Sequence, residues 1–196
     1  QGKDVIGIAG TGTGKTAAFA LPILHQILND STSRALIVAP TRELAQQIAV
    51  ECRGMAQGSN IASALLLGGM SYGPQLRDLR TRPRLVIGTP GRIKDHLDRG
   101  TLRLGQFNLV VFDEVDRMLD MGFVADVRLL LEHVAPKRQS FYFSATMDAR
   151  VDGLIRTFSP DAELVTVKTN DTSENVHQDV VRFNGKTDKE SKLHDI

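Results

Sequence analysis

Eight residues, Ala9-Gly10-Thr11-Gly12-Thr13-Gly14-Lys15-Thr16, lie between an apolar β-branched run and a stretch of helical period. In that setting the glycines let backbone N–H groups turn inward around phosphate oxygens, and the following helix N-terminus adds a favourable dipole. Lys15 then reaches the β and γ phosphates of a nucleoside triphosphate, and the Thr16 hydroxyl is placed to ligate Mg2+. The loop's first residue is Ala9, where the strict pattern has glycine. Without a ligand the same residues would make a flexible strand-to-helix turn. Splitting a phosphoanhydride with water needs acids as well, and Leu109-Val110-Val111-Phe112 runs into Asp113-Glu114-Val115-Asp116. At the carboxyl end of a buried strand, where open α/β sheets bind their ligands, Asp113 would hold Mg2+ directly or through water. Glu114 would orient and deprotonate the attacking water. The alternative is that these acids cap the segment that follows.

Three further strand ends carry Pro40-Thr41-Arg42-Glu43-Leu44-Ala45, Gly68-Gly69 and Thr89-Pro90-Gly91-Arg92. Taken singly they are a threonine cap followed by an acid, a tight turn, and a cap with proline at the first helical position. Together they offer cap hydroxyls, close backbone approach and free helix N–H groups, with Arg42 and Arg92 supplying charge. That is what a sequence-blind grip on a phosphate backbone requires. Ser144-Ala145-Thr146 closes the run Phe141 to Phe143, where its two hydroxyls either bridge to the acids across the strand ends or cap a helix.

The elements that must position these residues follow from hydrophobic periodicity. Short continuous apolar runs at Val5 to Ile8, Ala35 to Ala39, Ala62 to Leu67, Leu85 to Ile87, Leu109 to Phe112, Phe141 to Phe143 and Leu164 to Val167 read as strands buried on both faces. Helical patterns at about Lys15 to Leu28, Glu43 to Gln57, Pro74 to Thr81, Gly91 to Arg99, Val124 to Val134 and Ala149 to Phe158 alternate with them. The expectation is an α/β fold: a mostly parallel, twisted sheet of about seven strands with helices on both faces. Pro22 predicts a kink or early break in the first helix. Residues 169–196 read as an exit segment, with Val176 to Phe183 as an edge strand or the start of a linker.

With 24 Lys+Arg against 23 Asp+Glu in 196 residues and 41% hydrophobic residues, the chain is an ordinary globular domain rather than a disordered or fibrous one. No apolar run approaches the roughly 20 residues that span a bilayer. A single cysteine, Cys52, cannot pair internally, which together with the lack of a leader pattern favours a cytoplasmic setting. Cys52 reads as a small buried thiol, and the five histidines are too scattered for a metal cage. Met118, Met121 and Phe123 read as core or interdomain packing. The stretch Arg77 to Arg103 is rich in arginine and could meet phosphates or form a solvated face. No aromatic residue clusters with it, which argues against a base-stacking platform.

Taken in this order, the six motifs closely resemble the first RecA-like domain of the DEAD-box RNA helicases of superfamily 2, over essentially the whole chain. The resemblance implies a RecA-like P-loop domain at residues 1–168 within an ATP-driven enzyme that binds single-stranded RNA or locally separates short duplexes. It implies that Ala9, Gly10, Thr11, Gly12, Thr13, Gly14, Lys15 and Thr16 bind ATP and Mg2+, that Asp113 and Glu114 serve metal and hydrolysis, and that Ser144 and Thr146 couple hydrolysis to strand separation. Asp116 would join contacts formed when two such domains close. Pro40, Thr41, Arg42, Gly69, Thr89, Pro90, Gly91 and Arg92 match the family's RNA-backbone contacts, which position a strand without reading its bases.

Ala9 is the family's usual residue, but Val115 stands where the family has alanine, a packing change. By the same resemblance the family's upstream adenine-reading segment precedes Gln1, and Lys192-Leu193 resembles the opening of the second RecA-like domain, the partner in cis. An arginine finger from that domain is worth about 10³–10⁵ in rate, so residues 1–196 alone are expected to bind nucleotide weakly and scarcely hydrolyse it. The competing readings are a superfamily 2 DNA helicase or translocase, a nucleotide-gated RNA clamp, and a P-loop kinase. The last would leave Thr89 to Arg92 and Ser144 to Thr146 without a role.

Overall fold

The computed structural model describes residues 2–10 and 12–167. Thr11 of the phosphate loop and the proposed exit segment, including Val176 to Phe183, lie outside the described residues. Seven strands, β1 (Val5–Ile8), β2 (Ala35–Val38), β3 (Ser63–Leu66), β4 (Leu85–Gly88), β5 (Leu109–Phe112), β6 (Gln139–Ser144) and β7 (Glu163–Thr166), form one sheet in the order β3-β4-β2-β5-β6-β1-β7. All six pairings are parallel. Helices α1 (Lys15–Asn29), α2 (Arg42–Met55), α3 (Tyr72–Arg80), α4 (Pro90–Asp98), α5 (Val115–Asp120), α6 (Val124–His133) and α7 (Ala149–Phe158) fill the connections.

The continuous apolar runs are strands covered on both sides, and every residue of β2, β4 and β5 is buried. Alternation divides them between two cores. Ala35, Ile37, Leu85, Ile87, Leu109 and Val111 meet Phe19, Ile23 and Ile27 of α1 and Ala45, Ile48 and Cys52 of α2. Leu36, Val38, Val86, Val110 and Phe112 point the other way, into Ile93 of α4, Met118 of α5, Leu130 of α6 and Leu154 of α7. Each such fully buried aliphatic side chain is worth about 1.5–3 kcal/mol, which fixes the strand registers firmly.

Helix α1 runs through Pro22 to Asn29, as the pattern over Lys15 to Leu28 expects, without the early break that the proline could have caused. Pro22 lies on the exposed face, while Phe19, Ile23 and Ile27 clamp the opposite face to the sheet. Packing there outweighs one lost backbone hydrogen bond. Helix α5, six residues long, is an addition to the six helices expected from periodicity. Met118 is in the core and Met121 is exposed. Cys52 is buried as expected, and burial pushes its thiol up to about 11. Among the described residues, no helix is long and apolar enough to cross a membrane.

Candidate functional site

Sheet order sorts the motifs. The adjacent strands β5, β6 and β1 end in Asp113-Glu114, Ser144 to Thr146 and the phosphate loop; the adjacent strands β3, β4 and β2 end in Gly68-Gly69, Thr89 to Arg92 and Pro40 to Arg42. One half of the carboxyl edge therefore gathers the residues expected to meet a nucleotide, and the other half those expected to meet a phosphate backbone.

Gly14 caps α1 at φ 84, a left-handed conformation that a β-carbon would strain. It turns the chain so that α1 starts facing the loop. Lys15 Nζ donates to the Ala9 carbonyl at 3.1 Å, and Thr13 Oγ1 donates to Gly10 at 2.8 Å, so the loop is held closed by its own residues. Gly12, Gly14, Lys15, Thr16, Asp113 and Glu114 all line one cavity of about 400 Å³. Leu44, Gln47 and Glu51 of α2 also line it. Their one-turn spacing on α2 is legible in sequence, but only the fold shows that this face looks into the cavity.

Asp113 is 3% exposed. Burial pushes its carboxyl up to about 6, against the pull of nearby Lys15 and with a further push from Glu114. One oxygen accepts the Glu114 N–H at 3.0 Å, and among the described residues no cation pairs with it. A buried, half-satisfied carboxylate beside a threonine hydroxyl is a hard-oxygen donor set that fits Mg2+. Glu114 is left-handed at φ 54, ψ 55, and caps α5; its carboxylate is paired with Arg117 at 3.1 Å.

The serine and threonine of Ser144-Ala145-Thr146 do reach the acids. Asp116 Oδ2 accepts the Thr146 N–H and hydroxyl, each at 2.9 Å, and the Asp116 N–H donates to Ser144 Oγ at 3.3 Å. Burial raises the Asp116 carboxyl, but the two Thr146 bonds and the Arg117 N–H outweigh it and hold the group below the usual range.

On the other half, Thr41 Oγ1 accepts the Leu44 N–H at 3.2 Å and opens α2, leaving Arg42 exposed. Gly69, at φ 72, lies so close to Arg42 that a β-carbon would meet Nη1 at 2.9 Å. Thr89 opens α4 and accepts the Gly68 N–H at 3.4 Å. Pro40 and Pro90 are buried beneath these turns, and Gly91 is half-buried.

Arg92 is 7% exposed: Nη1 donates to the Met70 carbonyl at 2.8 Å, and Asp95 lies 3.6 Å from Nε. Its guanidinium packs on the Tyr72 ring at 4.3 Å, with Arg99 at 4.4 Å. An aromatic residue does cluster with the basic stretch, contrary to expectation; Tyr72 precedes that stretch by five residues in sequence. The stretch itself divides, since Arg82 and Arg84 precede β4 at the opposite edge of the sheet from Arg92.

Sequence reasoning missed the support of the glycine loop. Gln75 is buried; its Oε1 accepts the Leu67 N–H at 3.2 Å, and its Nε2 donates to the carbonyls of Leu67 at 3.3 Å and Ser71 at 3.0 Å. Behind it His96, fully buried, places Nε2 3.4 Å from Gln75 Oε1 and Nδ1 2.8 Å from the Thr101 hydroxyl. Burial, helped by Arg92, lowers the His96 pKa, which keeps the ring neutral. Gln75 and Arg92 thus hold both ends of the loop that presents Gly69.

A seven-stranded parallel sheet with a phosphate loop and an acidic pair on neighbouring strand ends defines a RecA-like nucleotide-binding domain. The family model of the DEAD/DEAH box helicases matches residues 1–154, and the chain belongs to that family. It is 45% identical over 180 residues to the DEAD-box ATP-dependent RNA helicase CshA of Geobacillus kaustophilus, covering 91% of this chain and 38% of that one. It is 43% identical over 178 residues to CshA of Bacillus subtilis, covering 90% and 36%. The chain thus spans little more than a third of the length of these relatives. Among solved structures, a hypothetical ATP-dependent RNA helicase from Sulfolobus tokodaii superposes with a TM-score of 0.79 at 35% identity, covering 85% of this chain and 49% of that one. A DEAD box protein from Methanococcus jannaschii gives 0.79 at 36% identity, covering 85% and 46%.

Proposed function

We propose that this chain is the ATP-binding and RNA-binding first domain of a DEAD-box RNA helicase, in which Mg-ATP hydrolysis is coupled to RNA binding and local duplex separation. The observation that carries this reading is α2, whose N-terminus holds Thr41 and Arg42 while Leu44, Gln47 and Glu51 line the nucleotide cavity. One rigid helix thereby joins both halves of the edge.

Lys15 exchanges the Ala9 carbonyl for the β and γ phosphates, and the loop N–H groups from Gly12 to Thr16 surround the remaining oxygens. Thr16 and Asp113 would hold Mg2+, which supplies neutralisation of phosphate charge when bound. Glu114 leaves Arg117 to orient and deprotonate the attacking water. Thr146 and Ser144, bonded to Asp116 three residues after Asp113, link the state of the acids to the strand ends. Arg42, Gly69 and the N-termini of α2 and α4 receive the RNA backbone, with Pro40, Thr41, Thr89, Pro90 and Gly91 shaping those entrances and Arg92 fixing Met70. These groups suit phosphate and sugar, so binding is without sequence preference. A second RecA-like domain in cis supplies the remaining contacts, in a cytoplasmic setting.

The test is ATP hydrolysis by the polypeptide carrying both RecA-like domains, with single-stranded RNA or DNA of matched sequence and Lys15→Ala as the blank. Stimulation by RNA alone is expected, since RNA offers 2′-hydroxyls. Equal stimulation by DNA overturns the assignment in favour of a DNA helicase or translocase. Duplex unwinding measured beside the bound lifetime separates an unwinder from a clamp.

A further inference from the structure

The edge of the sheet away from the nucleotide cavity holds a second cavity, of about 510 Å³. It lies where Arg34 enters β2, where Arg82-Pro83 lead into β4, and beneath the Gly100 to Gln106 connection from α4 towards β5. Arg34, Arg82 and Arg103 line it, and no acidic side chain does. Among the described residues none of the three arginines is in an ion pair, and neither the Arg82 nor the Arg103 guanidinium donates to any protein group. In a chain with 24 basic and 23 acidic residues, three uncompensated guanidiniums around one concavity are not a matter of general charge excess.

The backbone fixes the position of Arg82. Arg82 is left-handed at φ 53, a conformation that side chains other than glycine rarely adopt. Arg34 holds it there, with Nη1 donating to the carbonyls of Arg82 at 3.1 Å and Pro83 at 3.0 Å, while the Arg82 N–H donates to Leu79 at 3.0 Å. Arg82 follows Thr81, the C-cap of α3, where a left-handed residue commonly ends a helix, so the turn sets where its side chain stands at the rim of the cavity. Among the described residues the carbonyls of Asp78 and Leu79 in α3 and of Leu97 in α4 receive backbone N–H groups, and neither the Arg82 nor the Arg103 guanidinium caps these helix ends.

We propose that this arginine-lined cavity binds a nucleotide-sized anion carrying two or more adjacent phosphate groups. The guanidinium fork matches phosphate oxygens in pairs. The two free forks of Arg82 and Arg103, beside the charge of Arg34, call for several negative charges in a compact ligand, more than one carboxylate or monophosphate provides. Buried Leu102 and Phe107 close the floor, and the volume is that of a small-molecule site. The exposed amide of Gln106 is the neutral group available to a base or sugar. The proposal is independent of the helicase reading, because it uses none of the carboxyl-edge residues.

The test is amide NMR of the ¹⁵N-labelled chain in a Lys15→Ala background, titrated separately with pyrophosphate, ADP, sulfate and a 12-nucleotide single-stranded RNA. That background weakens the phosphate loop and leaves its remaining binding to be read separately at the amides of Gly12 to Thr16. Pyrophosphate and ADP should shift the amides from Gly100 to Gln106, with sulfate at least tenfold weaker. Adding Arg82→Ser and Arg103→Ser should weaken both ligands at least tenfold. Both side chains are exposed, and unshifted amides elsewhere certify the fold; the Arg103→Ser single variant, expected to be at least threefold weaker, serves if the double one is unstable. Silence at these amides, equal binding of sulfate, insensitivity to the substitutions, or binding of the RNA alone would each overturn the proposal.

Discussion

Replacing Gln75 by leucine removes a carboxamide that serves four partners without opening a void of any size. The Leu67 N–H loses its acceptor at 3.2 Å and His96 Nε2 loses the oxygen at 3.4 Å, both in buried surroundings. Two buried orphans cost about 1–3 kcal/mol each. Leucine recovers about 1–2 kcal/mol, because the carboxamide's own desolvation disappears. Taking the middle of each range, the net expectation is a loss of about 2–3 kcal/mol, a large share of the 5–15 kcal/mol typical of a folded domain. Urea denaturation followed by circular dichroism at pH 7.5 measures it, with an unchanged m-value showing that the unfolded reference is the same. The carbonyls of Leu67 and Ser71 are released too, so the Gly68-Gly69 loop should lose protection in amide exchange ahead of the rest of the sheet. A loss below about 0.5 kcal/mol, or uniform exchange, would refute the view that Gln75 holds this loop.

His96 is neutral when folded, so below the ordinary histidine pKa of about 6.5 the unfolded chain takes up a proton that the folded chain refuses, and stability falls as pH drops through that value. Asp113, raised from 3.8 to about 6, contributes the opposite slope: its stabilisation is present below 3.8 and is lost as pH rises through 6. The comparison is therefore made on Tm differences, and the gap between His96→Asn and the parent should narrow from pH 7.5 to 5.5; a constant gap counts against the assignment. Gly69→Ala places a β-carbon at φ 72 and 2.9 Å from Arg42 Nη1, so a loss of about 1–2 kcal/mol is expected, read as a few degrees of Tm, together with weaker RNA retention. Unchanged Tm would mean that the loop relaxes freely. Lys15→Ala removes one side-chain bond within the domain and, on the proposed function, a charged contact to ATP, so calorimetry should show affinity down about 10–100-fold while Tm stays within about 2 °C.

The fold was legible wherever a residue's type forces its surroundings. Runs such as Leu109 to Phe112 could only be two-sided strands, and Gly14-Lys15-Thr16 after β1 could only be useful at a strand end. The short helix α5 escaped because it depends on Glu114 adopting a left-handed cap, which glutamate does not advertise. Ser144 and Thr146 were legible as hydroxyls near acids, and the bonds to Asp116 are there. Arg92 shows the limit: a sequence displays its charge but not that Met70, Tyr72 and Asp95 enclose it. Gln75 and His96 were invisible for the same reason, since an amide and an imidazole 21 residues apart carry no pattern until α3 and α4 are packed.

Strand β1, which carries the phosphate loop, pairs with β6 and β7 and not with any strand made soon after it; Asp4 Oδ1 accepts the Ser140 N–H across 136 residues of sequence. At about 5–20 residues per second of translation, the loop emerges from the ribosome roughly 7–30 s before the strand that will hold it exists. Through that interval β2, β3, β4 and β5 can already pair with one another, but the nascent chain has no scaffold on which to grip nucleotide. The cellular ATP pool, which can stabilise the finished domain by mass action, offers no help to its synthesis.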